Sequence, residues 1–135
     1  MRTTVLFIPA ALLLPLLPSV HAAVDFEKDV RPILETNCVK CHNPKGTDVE
    51  EGRTDVDLSN KQQAFEVVST IVPGKPEKSK LYTTTILPDD AKKLMPPKNK
   101  VTGALARLPK EQTETLKQWI QEGANWPDEA KPLTS

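Results

Sequence analysis

Apolar residues along this chain fall into short helical repeats separated by polar and proline-rich stretches, with no run of strict alternation that would predict a strand. Behind Asp25, an N-cap residue type, Phe26, Val30, Ile33 and Leu34 recur at helical spacing and predict a first helix. Pro32 lies inside it and predicts a kink or a division into two short turns, because its ring clashes with a carbonyl one turn earlier. Ser59-Asn60-Lys61-Gln62 matches a capping box, and Ala64, Phe65, Val68, Ile71 and Val72 continue the period, so a middle helix is expected from about Asn60 to Ile71. Pro73-Gly74 ends it in a turn. Pro76 to about Tyr82 predicts another short helix, which Thr83-Thr84-Thr85 discourages from extending. The last helix is expected over Pro109 to Glu122, with proline at its start, apolar Leu116, Trp119 and Ile120, and a closing Gly123. Trp119 is expected in the core, and Trp126, beyond the helix, as a cap on the domain. The pattern predicts an all-α fold.

The first residues have a different character. Met1-Arg2 gives a short positive start, Val5 to Leu17 is apolar but interrupted by Pro9 and Pro15, and Val20-His21-Ala22 ends in a small residue. This predicts a signal peptide over residues 1–22 and one domain over 23–135. The apolar stretch falls short of the about 20 residues a membrane span needs, so no stable span is expected after cleavage; an uncleaved anchor is the alternative. A lipid anchor lacks the required cysteine near the cleavage point, since the first cysteine is Cys38. The expected location is extracytoplasmic, periplasmic or secreted, where disulfides persist.

About 113 of the 135 residues remain once a 22-residue leader is removed, a single small domain on length. It holds five aromatics, Phe26, Phe65, Tyr82, Trp119 and Trp126, and many prolines, a thin supply for a core of its own. Lys plus Arg equals Asp plus Glu at 18 each, and losing Arg2 leaves about −1, which gives nucleic-acid binding no support. The stretch from Asn43 to Asp57, with Asp48, Glu50, Glu51, Asp55 and Asp57, reads as a solvated acidic loop.

Chemistry concentrates in Cys38-Val39-Lys40-Cys41-His42. In a helix, positions i, i+3 and i+4 share a face, so Cys38, Cys41 and His42 would project together while Val39 and Lys40 point away. C-x-x-C-H is the attachment signature of c-type haem. Two sulfurs would bond the vinyl groups and His42 would sit beneath the iron as proximal ligand. A thioredoxin-like redox pair would require a preceding strand, which is missing from the pattern. A structural zinc site needs four ligands, and the chain adds only His21. A Cys38–Cys41 disulfide suits an exported protein but leaves His42 unexplained.

After leader removal, His42 is the sole histidine and Met95 the sole methionine, which excludes bis-histidine ligation within one chain. Met95 sits in Lys92-Lys93-Leu94-Met95-Pro96-Pro97, where the two prolines forbid helix. A stiff polar loop suits a thioether presented to iron opposite His42 better than a core-filling methionine. The alternatives are a packing role and an open or water-bound iron.

Asp25-Phe26, Val30-Arg31-Pro32-Ile33-Leu34, the Cys38–His42 pentapeptide with Asn43-Pro44, Ile71-Val72-Pro73-Gly74 with Ser79, Met95-Pro96-Pro97, and Trp119-Ile120 with Gly123-Ala124 together resemble the planctomycete-type cytochrome c domain, a branch of the monohaem cytochrome c superfamily. The resemblance runs in order along nearly all of the mature chain. It implies a small cytochrome c-like helical domain wrapped around one covalently bound haem c, thioether attachment through Cys38 and Cys41, and His42 and Met95 as axial ligands. Departures are the acidic insertion after Pro44 and a last helix entered through Leu108-Pro109 without a Ser or Thr cap.

The function this predicts is single-electron transfer by an electron carrier, not an enzyme. No P-loop, nucleophile elbow or catalytic His-carboxylate set occurs. A haem-based ligand-binding or sensor domain, and a permanent haem subunit of a larger oxidoreductase, are the alternatives. Lys40, Lys45, Lys92, Lys93, Lys98 and Lys100 cluster in sequence around the expected ligands; they read either as ordinary surface lysines or as a ring that steers an acidic redox partner. A buried macrocycle with two covalent staples would compensate for the thin core, so the haem-free chain is expected to be largely unfolded.

Overall fold

The computed structural model describes residues 22–45, 55–99 and 101–135. The leader up to His21, most of the acidic stretch, residues 46–54, and Lys100 lie outside the described residues. Within them every regular element is helical, as the apolar pattern predicts, and no helix is long and apolar enough to cross a membrane.

Asp25 caps the first described turn as expected: its backbone is extended (φ −87°, ψ 126°) and its Oδ1 accepts the Lys28 N–H at 2.9 Å. The expected first helix then divides in two. Phe26–Val30 is a π-helical segment, closed by the Arg31 N–H donating to the Phe26 carbonyl, and α1 follows over Arg31–Asn37. Pro32 accounts for the change of winding. It has no N–H to give the Lys28 carbonyl, and its ring needs room at that carbonyl, which a wider turn supplies.

The middle helix, α2, is Lys61–Glu66, with Asn60 rather than Ser59 as its cap; Asn60 Oδ1 accepts the Gln63 N–H at 3.1 Å. It stops well short of the predicted Ile71. Val67, Val68, Ser69 and Thr70 are all weak helix formers, and past Glu66 the chain closes a tighter turn, Thr70 N–H donating to Val67 O at 2.8 Å, before Ser69 O and Thr70 O accept the N–H groups of Lys80 (2.8 Å) and Leu81 (3.0 Å). Val68, expected on the buried stripe, is 83% exposed as a result.

A 3₁₀ turn (Pro76–Lys78), α3 (Lys80–Thr83) and a second 3₁₀ turn (Thr84–Ile86) replace the single short helix. The threonine run extends the winding instead of ending it. Thr84 Oγ1 donates to Lys80 O and Thr85 Oγ1 to Tyr82 O, each at 2.7 Å, which reinforces the tighter turn from the side chains. The last helix, α4 (Lys110–Gln121), lies one residue inside each predicted limit and buries Leu116, Trp119 and Ile120. Gly123 then reverses the chain at φ +107°.

The core is aromatic and brings the two ends of the described residues together. Trp126 stacks on Phe26 with ring centroids 4.3 Å apart, and Trp119 lies 5.9 Å from Phe26 and 6.4 Å from Trp126. Trp126 is therefore a central core residue, 1% exposed, more than the expected cap. Hydrogen bonds fasten the termini around this cluster: Val24 N–H to Glu122 Oε2 at 2.8 Å, Arg31 Nη2 to Lys131 O at 2.8 Å, and Leu133 N–H to Ser59 O at 2.6 Å.

Candidate functional site

α1 stops at Asn37 and delivers the pentapeptide as a turn. The Cys38 N–H still reaches back to Leu34 O at 2.9 Å. Its carbonyl then accepts both the Cys41 N–H (3.1 Å) and the His42 N–H (3.0 Å), so a single turn brings Cys38, Cys41 and His42 together. Lys40 is exposed as expected, but Val39 is not: it is 2% exposed and belongs to the core. The reason is a wide turn at the end of α1. The Val39 N–H also donates to Leu34 O, at 3.0 Å, a span of five residues that departs from regular α geometry, on which the outward placement rested. Val39 thus anchors the turn to the hydrophobic core.

His42 is docked at two points on the segment that returns after the acidic stretch. Leu58 N–H donates to His42 O at 2.8 Å, and His42 Nδ1 lies 3.1 Å from the Val56 carbonyl. A carbonyl only accepts, so Nδ1 carries a proton, which leaves Nε2 as the nitrogen that can offer a lone pair. Asn43 closes the turn behind it: its amide donates to Val39 O, and its Oδ1 accepts the Lys45 N–H at 2.8 Å. Asp57 departs from the solvated loop predicted for this stretch. It is 7% exposed and its Oδ1 accepts the Ser59 N–H at 2.7 Å, a local turn that aims Val56 and Leu58 back at His42.

Both cysteines are free thiols, unbridged to each other. Burial pushes the Cys38 thiol up to about 12, with the neighbouring Cys41 a smaller contributor, so the sulfur is protonated at neutral pH. Among the described residues no group of three or more His, Cys, Asp or Glu side chains gathers as a metal site. The donor set fits covalent haem instead: two unbridged thiols on one turn, and an imidazole whose Nδ1 is engaged so that Nε2 is the basic nitrogen.

Met95 is held from elsewhere. Its N–H donates to Thr84 O at 3.0 Å, its peptide bond to Pro96 is cis, and its side chain is half-buried beside buried Leu94. Among the described residues no hydrogen bond links Met95 to the pentapeptide. A surface cavity of about 420 Å³, lined by Asn60, Lys61, Gln62, Phe65, Asp128 and Ala130, includes none of Cys38, Cys41, His42 and Met95. Lys40, Lys45, Lys92, Lys93 and Lys98 are exposed.

Two contributors escaped the sequence reading. One is the Val56 carbonyl, for which Asp57-Leu58-Ser59, a turn-forming pattern, was the available signal. The other is Arg107. Its Nε donates to Asp89 Oδ1 at 2.6 Å and its terminal nitrogens to the carbonyls of Thr85 (3.4 Å) and Leu87. Nothing local in the sequence marks it.

No curated protein and no solved structure matches the chain. A family model, planctomycete cytochrome C, matches residues 38–99. The match begins at Cys38, takes in Cys41, His42 and Met95, and ends four residues beyond Met95. The family whose model matches residues 38–99 is the one that the sequence motifs resemble.

Proposed function

We propose that the protein is an extracytoplasmic c-type cytochrome that passes single electrons through one covalently attached haem ligated by His42 and Met95. The observation that supports this most is the Nδ1–H bond from His42 to Val56 O, made on the same turn that carries two unbridged thiols. Haem, when bound, supplies a one-electron iron couple.

The chain's own groups then have distinct tasks. Cys38 and Cys41 hold the macrocycle through sulfur. Val56, by accepting the hydrogen bond from Nδ1–H, fixes the His42 ring and would raise the basicity of Nε2 toward iron. Met95 would supply a thioether donor, which favours the reduced state relative to a second histidine. Ligands kept in both oxidation states would leave little to reorganise, and the chemistry would call for no acid, base or nucleophile from the chain. The exposed lysines flanking the ligands steer an acidic redox partner.

The test is a visible spectrum of the protein exported to the periplasm, followed by denaturation. Sharp c-type bands from haem that stays on the chain are expected, with loss of the weak sulfur-to-iron band in Met95→Ala. Haem that extracts freely from the unfolded chain overturns covalent attachment, and a band that survives Met95→Ala overturns Met95 as ligand. The Cys38→Ala/Cys41→Ala variant is expected to lose most far-UV helical signal.

A further inference from the structure

The segment that carries Met95 is a long excursion closed at its base by one side chain. After the 3₁₀ turn Thr84–Ile86 the chain leaves through Leu87-Pro88-Asp89, passes Met95-Pro96-Pro97, and turns around Asn99. Asn99 Oδ1 accepts the N–H groups of Val101 and Thr102, each at 2.9 Å, and Asn99 N–H donates to Ala104 O at 2.9 Å, so the chain doubles back. It returns at Arg107, whose guanidinium grips Asp89 Oδ1 and the carbonyls of Thr85 and Leu87, 18 to 22 residues upstream. Those carbonyls adjoin Thr84, whose own carbonyl fixes the Met95 backbone. Asp89 and Arg107 also form an ion pair.

We propose that Arg107 is the positioning residue for the Met95 ligand: by closing the 85–107 loop it holds the thioether in place and sets how readily the sixth position opens. This rests on Met95 being the axial ligand. Freeing the base of a loop of about 20 residues returns chain entropy to the open state, and the open state is the one in which an external ligand reaches iron. Arg is suited to the task because its planar fork satisfies three acceptors at once, where a lysine supplies a single charged point. The ion pair is partly exposed, so the effect comes from the combined grip more than from charge alone.

The experiment titrates the ferric holoprotein with imidazole, following the sulfur-to-iron band, in wild type, Arg107→Gln, Arg107→Lys and Asp89→Asn. Expected is about fivefold tighter imidazole binding in Arg107→Gln, an intermediate change in Arg107→Lys and Asp89→Asn, and faster amide exchange confined to residues 85–99. Global unfolding in guanidinium, followed by tryptophan fluorescence, should stay near wild type, which separates positioning from general destabilisation. Imidazole affinity unchanged in Arg107→Gln overturns the inference, as does a rise matched by an equal loss of global stability. If Met95→Ala leaves the band intact, the ligand assignment itself has failed, a result distinguishable from failure of the clamp.

Discussion

Around Trp126, stability comes from side chains; around Met95, it comes from hydrogen bonds near the surface. Phe26, Phe65 and Trp119 all lie within 6.5 Å of the Trp126 ring, and Phe26, Trp119 and Trp126 are each almost wholly buried. Met95 is half-buried, with a backbone bond to Thr84 and the Arg107 clamp beyond it. A buried aromatic pair contributes about 0.5–1.5 kcal/mol beyond its area, and an ordinary hydrogen bond about 1 kcal/mol net. The aromatic end should open only with global unfolding, and the methionine loop well before it. The family match, residues 38–99, includes the ligand turn and Met95 but not Arg107, Phe26, α4 or Trp126. The described residues therefore divide into a segment that matches the family and a frame that packs around it.

The largest effect expected is on the frame. Trp126→Ala should cost about 3–5 kcal/mol in guanidinium unfolding of the holoprotein while leaving the haem bands of the remaining folded fraction unchanged. A loss of less than about 1 kcal/mol would break the comparison, since the aromatic end would then be no firmer than the loop.

A second substitution pair sharpens it at the boundary, where the ligand turn meets the core. Val39→Ala should cost about 2 kcal/mol because Val39 is buried. Lys40→Ala, one residue on and exposed, should stay within about 0.5 kcal/mol. Equal effects at the two positions would return Val39 to the outward face that a regular helix predicts.

The smallest effect concerns the surface. The hydrogen bond and charge of Lys61 hold the Asp128 carboxyl below its usual range. A depressed carboxyl contributes above its unfolded value and loses that contribution as pH falls through the folded one. Asp128 is fully exposed, so Asp128→Asn should change the melting temperature only slightly near neutrality. The two proteins should converge in acid and in high salt. A difference that grows in acid would contradict the ion pair.

Much of this molecule was legible beforehand where the cause is local. The Asp25 cap, the break at Pro32, and the extent of α4 between Pro109 and Gly123 follow from short-range sterics and hydrogen bonding, and each appears within a residue of its expected place. The ligand turn was legible as well, since Cys38, Cys41 and His42 need only one turn of backbone to meet. Illegible parts depended on partners far along the chain. Beyond the end of α2 at Glu66, Ser69 O and Thr70 O are bound by Lys80 and Leu81, well along the chain, and Asp57 is buried because its segment returns to His42.

Residue type and spacing within a few positions are enough to specify the helical class, the grouping of Cys38, Cys41 and His42 on one turn and the absence of helix at Met95-Pro96-Pro97. Only the tertiary structure decided that Val39 is core, that Trp126 is central, that Val56 fixes the His42 tautomer, and that Arg107 closes the loop around Met95. Each of these is a contact between groups whose separation in sequence carries no periodic signal. Their meeting is set by how the whole chain packs.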